Sequence, residues 1–390
     1  MKWKQKGNEY EIYSKKIKEN FDKANKKIYI FGAGVKGEYV YRIMKWFNCF
    51  AMFIDNSTAK QATGKCSEKV ISLNEYKEKY NDGLIVVAVD NRYISSVCTQ
   101  LEKFGYRENA NYYKYQEFLS KIFPILVLKE YGLLYSEMMQ ICLTERCTLK
   151  CRYCAHGCYN VNSESKDIAP EDIIESVDLF FKKIDKVMDF VLLGGEPFLY
   201  KDIDKIISHI GKNYRDQIHN FVITTNGTIV PSENVLELCK KYDVLIRISN
   251  YSAKISRLKE RYEKLCLKLE QVGVNYDMGE EAYEWMDYGF SSLDRKATPE
   301  ELIRVFDSCT TPCRELRNGR IYYCVQARSS GENLQFAVGQ DDYLDLRNEN
   351  DKAVILEYLT GYSEKGYMEM CNYCYGAEAE QHPIPVAEQL

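Results

Sequence analysis

Apolar strand-like runs alternating with helical stretches fill the chain from residue 138 and leave few folds open to it. MMQICLT (138–144) is followed by DFVLLGGE (189–196), HNFVITTNG (219–227), DVLIRISN (243–250) and VNYDMG (274–279). Helical patterns such as PEDIIESVDLFFKKIDKV (170–187) and ENVLELCKKY (233–242) lie between them. Strands separated by helices pair in parallel through crossovers, and a series of them reads as a full or partial β/α barrel. A barrel builds its site at the C-terminal ends of its strands. Here those ends carry Gly194, Gly195 and Glu196, then Thr224, Thr225 and Asn226, then Ser249 and Asn250.

The first 120 residues have the same alternation on a smaller scale. After a charged, helical lead-in come IYIFGAG (28–34), a helical VKGEYVYRIMKWF, then CFAMFID (49–55) and LIVVAVD (84–90), with another helical stretch at 91–104. Gly32, Gly34 and Gly37 form a G-x-G-x-x-G loop that leaves a strand and opens a helix, and Asp55 ends the next strand. Such a loop can seat phosphate oxygens on the helix N-terminus, and Asp55 can accept from ribose hydroxyls. The expected ligand is a nucleotide or nucleotide-sugar; a domain that only mediates contacts is the alternative. Residues 121–137 read as a linker, residues 138–300 as the barrel, and residues 301–390 as a less regular third domain.

Composition decides how the fifteen cysteines are read. The opening MKWKQKGNEYEIYSKKIKENF has no apolar core, so no signal peptide is expected. Apolar runs such as FPILVL are too short to span a bilayer. A net charge of −4 gives no electrostatic case for nucleic acid or an anionic membrane. The expectation is a cytoplasmic protein, where clustered cysteines bind metal or do redox work. Cys49, Cys66, Cys98, Cys239 and Cys266 are scattered and read as core or incidental thiols. The others gather at 142–158 and 309–374.

Cys147, Cys151 and Cys154 form a C-x3-C-x2-C array after a strand. Three thiolates can hold three irons of a cubane and leave the fourth open to chelate a methionine moiety. The alternative is zinc, with His156 or Cys158 as fourth ligand. Tyr153 stands before the third cysteine, where it could pack on adenine, and Glu196 offers a carboxylate to an ammonium group. Taken together, these residues resemble the radical S-adenosylmethionine (radical SAM) superfamily over roughly residues 138–280. The resemblance implies an α/β fold with a partial (β/α)6 TIM-like barrel and a [4Fe–4S] cluster on Cys147, Cys151 and Cys154. It also implies S-adenosylmethionine near Tyr153, Gly194, Gly195, Glu196, Thr225, Asn226, Ser249 and Asn250, and a flavodoxin- or ferredoxin-type reductant.

Cys309, Cys324, Cys371 and Cys374 supply four more thiols, suited to structural zinc or a fully ligated iron–sulfur cluster. Cys313 could replace Cys309, which the spacing favours. With the G-x4-C element Gly319–Cys324, the set resembles the twitch and SPASM extensions of radical SAM enzymes. No cysteine follows Cys374, which favours a single auxiliary cluster and hence two [4Fe–4S] clusters in all. A twitch-bearing radical dehydrogenase of butirosin assembly, which oxidises an aminocyclitol alcohol, has a similar cysteine layout. The N-terminal segment resembles Rossmann-like modules found beside enzymes of surface-glycan assembly, where FGAG and FIDN segments recur. These resemblances imply an oxidoreductase that takes hydrogen from a carbinol carbon of a sugar, cyclitol or nucleotide-sugar and passes the electron to the auxiliary cluster. Epimerisation and peptide maturation are the alternatives. The residues do not name a general base; Arg247, near a strand end, is a loose candidate.

Overall fold

The structure, a computed structural model, describes residues 9–162, 167–289, 293–309, 311–336, 339, 342–362 and 365–390. The chain divides into two compact units at Leu134.

In the first unit, five short strands pair in parallel: β1 (Ile28–Phe31), β2 (Phe50–Ile54), β3 (Val70–Ile71), β4 (Leu84–Val87) and β5 (Tyr112–Lys114). Their order is β3-β2-β1-β4-β5. All of β1 and β4 is buried, so these runs are continuously apolar rather than alternating, as for parallel strands covered on both faces. The strand order reverses between β1 and β4, and open α/β sheets have their crevice at such a point. The charged lead-in is a helix over Glu9–Lys23; its first eight residues lie outside the described residues.

The linker expected over 121–137 is a correction. Residues Phe123–Tyr131 form a helix that buries Phe123, Ile125, Leu126 and Val127 within the first unit. Phe123 meets Phe47 edge-on at 5.1 Å, and the Tyr131 hydroxyl donates to the Phe47 carbonyl at 2.9 Å. The apolar FPILVL run is therefore core, and the boundary is as short as the turn after Gly132, which ends the helix at φ +69°.

The second unit begins with β6 (Tyr135–Cys142), β7 (Lys186–Leu193), β8 (Ile218–Thr225), β9 (Val244–Ile248) and β10 (Tyr276–Met278), successive parallel neighbours. Helices Pro170–Phe181, Ile203–Asn213, Glu233–Lys241 and Leu258–Val272 connect them. β7 is buried from Val187 to Leu193, and Ile206, Ile207 and Ile210 of the second connecting helix are fully buried. Each such side chain contributes about 1.5–3 kcal/mol when removed from water.

After β11 (Glu284–Met286) the chain returns to the opposite edge of the same sheet. There β12 (Cys313–Arg317) pairs in parallel with β6, and β13 (Arg320–Tyr322) and β14 (Tyr343–Asp345) follow antiparallel. The sheet order is β10-β9-β8-β7-β6-β12-β13-β14. Six parallel strands stand in it, but the sixth lies beside β6 rather than beyond β10. The boundary expected at residue 300 therefore does not separate two sheets. A final strand, β15 (Pro383–Pro385), pairs antiparallel with β11. Among the described residues no helix is long and apolar enough to cross a membrane.

Candidate active site

β6, β7, β8 and β9 all end at one edge, and the segments leaving them build a single cavity of about 420 Å³. Its wall carries Cys147, Cys151 and Cys154 with Tyr153, Gly194, Gly195, Thr225, Asn226 and Ser249. β7 can end this close to the cysteine loop because the two residues after it, Gly194 and Gly195, have no side chains. A Cβ on Gly195 would stand 2.3 Å from the Arg146 carbonyl oxygen, and one on Gly194 2.4 Å from that of Thr144. The backbones are joined: Gly195 N–H donates to Thr144 O at 2.8 Å and Glu196 N–H to Arg146 O at 2.9 Å.

Each thiol of the triad has N–H groups around it. Leu149 N–H and Asn226 Nδ2 approach Cys147 Sγ at 3.4 and 3.5 Å, and Gln389 Nε2 approaches Cys151 Sγ at 3.2 Å. Burial pushes Cys147 up to about 12 and Cys151 up to about 11, whereas a hydrogen bond with Cys158, aided by backbone N–H groups, holds Cys154 below the usual thiol range. His156 lines the cavity, and burial depresses its pKa to about 4. Cys158 does not line it.

Two expected cofactor residues, and the candidate base Arg247, are placed off the cavity wall. The Glu196 carboxylate does not reach the cavity wall. It is fully buried and accepts from Thr225 Oγ1 at 2.7 and 2.9 Å, Asn226 N–H at 2.9 Å and Phe198 N–H at 3.2 Å. It braces the turn after β8. Asn250 turns its Oδ1 toward Ser252, accepting from its N–H at 3.2 Å and its hydroxyl at 2.7 Å. Arg247, within β9, does not line the cavity either.

Tyr251, Trp285 and Tyr288 complete the wall, with Tyr251 and Trp285 edge-to-face at 5.4 Å. The sequence reading missed them. Tyr251 follows the strand-end pair Ser249-Asn250 and was within reach of that signal; Trp285 and Tyr288 lie outside any strand-end motif.

The second thiol set lines its own small cavity of about 30 Å³, formed by Cys309, Cys324, Cys371 and Cys374 with Phe306, Met368 and Met370. Burial pushes Cys371 up to about 12 and Cys374 up to about 11. Cys313 is not on this wall; it begins β12 and its Sγ lies 3.5 Å from Met138 Sδ. Among the described residues no three His, Cys, Asp or Glu side chains close around a single ion. The fit to metal groups rests instead on donor chemistry and shared cavities. Three cysteines on the first wall suit a cubane with one open iron, and four on the second suit a fully ligated one.

A buried ion network joins the flanks of the two thiol sets. Arg328, with no exposed surface, pairs with Glu145 and, at 2.5 Å, with Glu315. Glu145 precedes Cys147 by two residues and Arg328 follows Cys324 by four. Burial opposes ionisation of both carboxylates. Arg328, Asn333 and Arg317 still hold Glu145 at about 2, while burial pushes Glu315 up to about 7 against the pull of Arg328.

In the first unit, Gly32, Gly34 and Asp55 line a cavity of about 610 Å³ at the reversal between β1 and β4, with Lys36, Lys60, Asp90 and Tyr93. Gly32 has φ +123°, and a Cβ there would meet Ala88 O at 2.4 Å. Gly37 is off the wall, and its Cα packs under the Gly32 carbonyl, so its role is helix packing. Asp55 is already engaged: it accepts from Ala33 N–H at 2.8 Å, Ser57 N–H at 2.9 Å and Lys60 Nζ at 2.9 Å.

The radical SAM superfamily model matches residues 141–266, which begin in β6 and include the triad, the Gly194–Glu196 turn and the ends of β8 and β9. Over these residues, about a third of the chain, the sequence is similar to the radical SAM superfamily. The radical SAM superfamily implies S-adenosylmethionine and a [4Fe–4S] cluster. Among curated proteins, the chain is 36% identical over 97 residues to GTP 3′,8-cyclase of Aquifex aeolicus, covering 24% of this chain and 29% of that protein. It is 29% identical over 122 residues to an uncharacterised protein of Methanocaldococcus jannaschii, covering 31% of this chain and 41% of that one. The radical SAM match thus spans well under two thirds of these relatives' own length. Among solved structures, anSMEcpe with bound AdoMet is similar at 13% identity, covering 62% of this chain and 89% of that one with a TM-score of 0.41. BtrN in complex with AdoMet and 2-DOIA is similar at 15% identity, covering 65% of this chain and 97% of that one with a TM-score of 0.38.

Proposed function

We propose that the chain is a radical SAM oxidoreductase that takes hydrogen from a carbinol carbon of a sugar, cyclitol or nucleotide-sugar and leaves a ketone. Cys147, Cys151 and Cys154 would hold the first cluster, and Cys309, Cys324, Cys371 and Cys374 the second. S-adenosylmethionine with its reduced cluster supplies a hydrogen-abstracting radical, and the second cluster supplies an electron acceptor.

The chain's own residues bind and orient. The bare backbone of Gly194 and Gly195 gives the methionine end of the ligand a close approach, and Tyr153 offers a ring to adenine. Tyr251, Trp285 and Tyr288 line the remaining wall, with apolar surface that excludes water from the substrate's reacting carbon. A flavodoxin- or ferredoxin-type protein is the proposed reductant.

The observation that carries the reading is the separation of seven thiols into a set of three on a large cavity and a set of four on a small one. Full ligation leaves no iron open to substrate, which suits electron transfer. Anaerobic reconstitution is expected to give about eight irons per chain if each set binds a cubane. Replacing Cys147, Cys151 and Cys154 with Ala is expected to abolish reductant-driven formation of 5′-deoxyadenosine from S-adenosylmethionine; cleavage that survives refutes the reading. Cys371→Ala with Cys374→Ala is expected to keep that cleavage and stop ketone formation. Turnover with inversion at the carbon in that variant would replace oxidation with epimerisation.

A further inference from the structure

Residues 383–390 cross the cysteine loop of the first site. β15 pairs with β11 in the register Glu284↔Pro385, Trp285↔Ile384 and Met286↔Pro383, so the segment is anchored on a strand whose residues line the cavity. Val386 and Ala387 are then fully buried. Ala387 takes φ +48°, in the left-handed region that a side chain disfavours, and this turns the next three residues onto the loop. There Arg152 N–H donates to Glu388 O at 2.8 Å and Leu390 N–H to Lys150 O at 2.8 Å. The backbone of the loop between Cys147 and Cys154 is thus paired, residue by residue, with a segment more than two hundred positions away.

Gln389 lies at the centre of this pairing. Its Oε1 accepts from Lys150 N–H at 3.0 Å, and its Nε2 donates to Ala387 O at 2.8 Å and to Cys151 Sγ at 3.2 Å. The amide orientation follows from its partners. Lys150 N–H can only donate and Ala387 O can only accept, so the NH₂ group faces the sulfur. Gln389 is an exposed residue, but the thiol it reaches is not: Cys151 is 7% exposed.

We infer that Gln389 is a positioning residue for the cluster held by the triad: its N–H···S hydrogen bond to Cys151, set by the 383–390 segment, raises the cluster's reduction potential. This rests on the radical SAM reading of the triad. Hydrogen bonds to ligand sulfurs stabilise the more electron-rich, reduced state of an iron–sulfur cluster, so removing one lowers its potential. Among the described residues, the other N–H groups near the triad come from the cysteine loop, from residues 156–158 just after it, or from the turn after β8, whereas that of Gln389 comes from the distant segment.

The test is a redox titration of the reconstituted full-length protein, followed by the electron paramagnetic resonance signal that changes when S-adenosylmethionine is added. Gln389→Ala and Gln389→Met both remove the donor, and Met keeps the side chain's length so that the segment stays seated if Ala unfolds it. The expected result is wild-type iron content with a midpoint potential shifted to more negative values in the variant that folds. An unchanged potential at wild-type iron content overturns the inference and leaves the radical SAM reading standing. Wild-type protein with no signal responsive to S-adenosylmethionine overturns both.

Discussion

At Glu196, burial and hydrogen bonding pull in opposite directions. Thr225, Asn226 and Phe198 all donate to the carboxylate, yet its lack of contact with water pushes the pKa from 4.5 to about 7. Between those two values the folded metal-free protein binds a proton that the unfolded chain has lost, so stability falls as pH rises through the window. Urea unfolding at pH 5 and pH 8 is expected to show this loss in the wild type and a shallower slope in Glu196→Gln, which cannot ionise. Equal slopes would mean that Glu196 does not carry the titration.

Strand ends and turns decide which residues reach the site. The hairpin between β12 and β13 turns on Asn318 (φ +49°) and Gly319 (φ +67°), a two-residue Asn-Gly connection whose twist suits adjacent strands. It returns the chain to Cys324, from which the helix Val325–Leu334 runs and presents Arg328 to Glu145 and Glu315. Removing one partner from a buried ion pair strands the others without water. Arg328→Ala is therefore expected to cost about 3–5 kcal/mol, read from the urea midpoint. A loss below about 1 kcal/mol would mean that water reaches the carboxylates once the guanidinium is gone.

The molecule as a whole joins chemistry of two kinds in separate units. The second unit has two all-thiol sites along one sheet and its returning strands; the first has a glycine-lined cavity at a strand-order reversal. We propose a nucleotide or nucleotide-sugar for that cavity, with phosphate at the Gly32–Gly34 turn. Asp55 is held by Ala33, Ser57 and Lys60, so ribose recognition would require it to give up the Lys60 contact. UDP-glucose or NAD at one hundred times its dissociation constant is expected to stabilise the protein by about 2.7 kcal/mol, read as a rise in melting temperature. Gly32→Val, which places a side chain against Ala88 O, is expected to abolish the rise. No rise with either compound favours a unit that only mediates contacts.

Local pattern was enough to find the parallel strands, the triad with its glycine turn, and the C-terminal thiol set, because strand period, thiol spacing and backbone clearance are properties of neighbouring residues. Cys309 rather than Cys313 on the second cavity is a placement that spacing favoured and packing of β12 against β6 made. Other features depended on residues far apart in the chain. The FPILVL run was taken for a connector because its partner, Phe47, lies some seventy-five positions away. Glu196 and Asp55 have side chains suited to a ligand, but each already accepts from the backbone of another segment, Asn226 N–H for Glu196 and Ala33 N–H for Asp55. Gln389 had no local signal at all; only the pairing of β15 with β11 brings its amide to Cys151. A side chain's chemistry belongs to the sequence, whereas which partner satisfies it depends on which distant backbone the fold delivers.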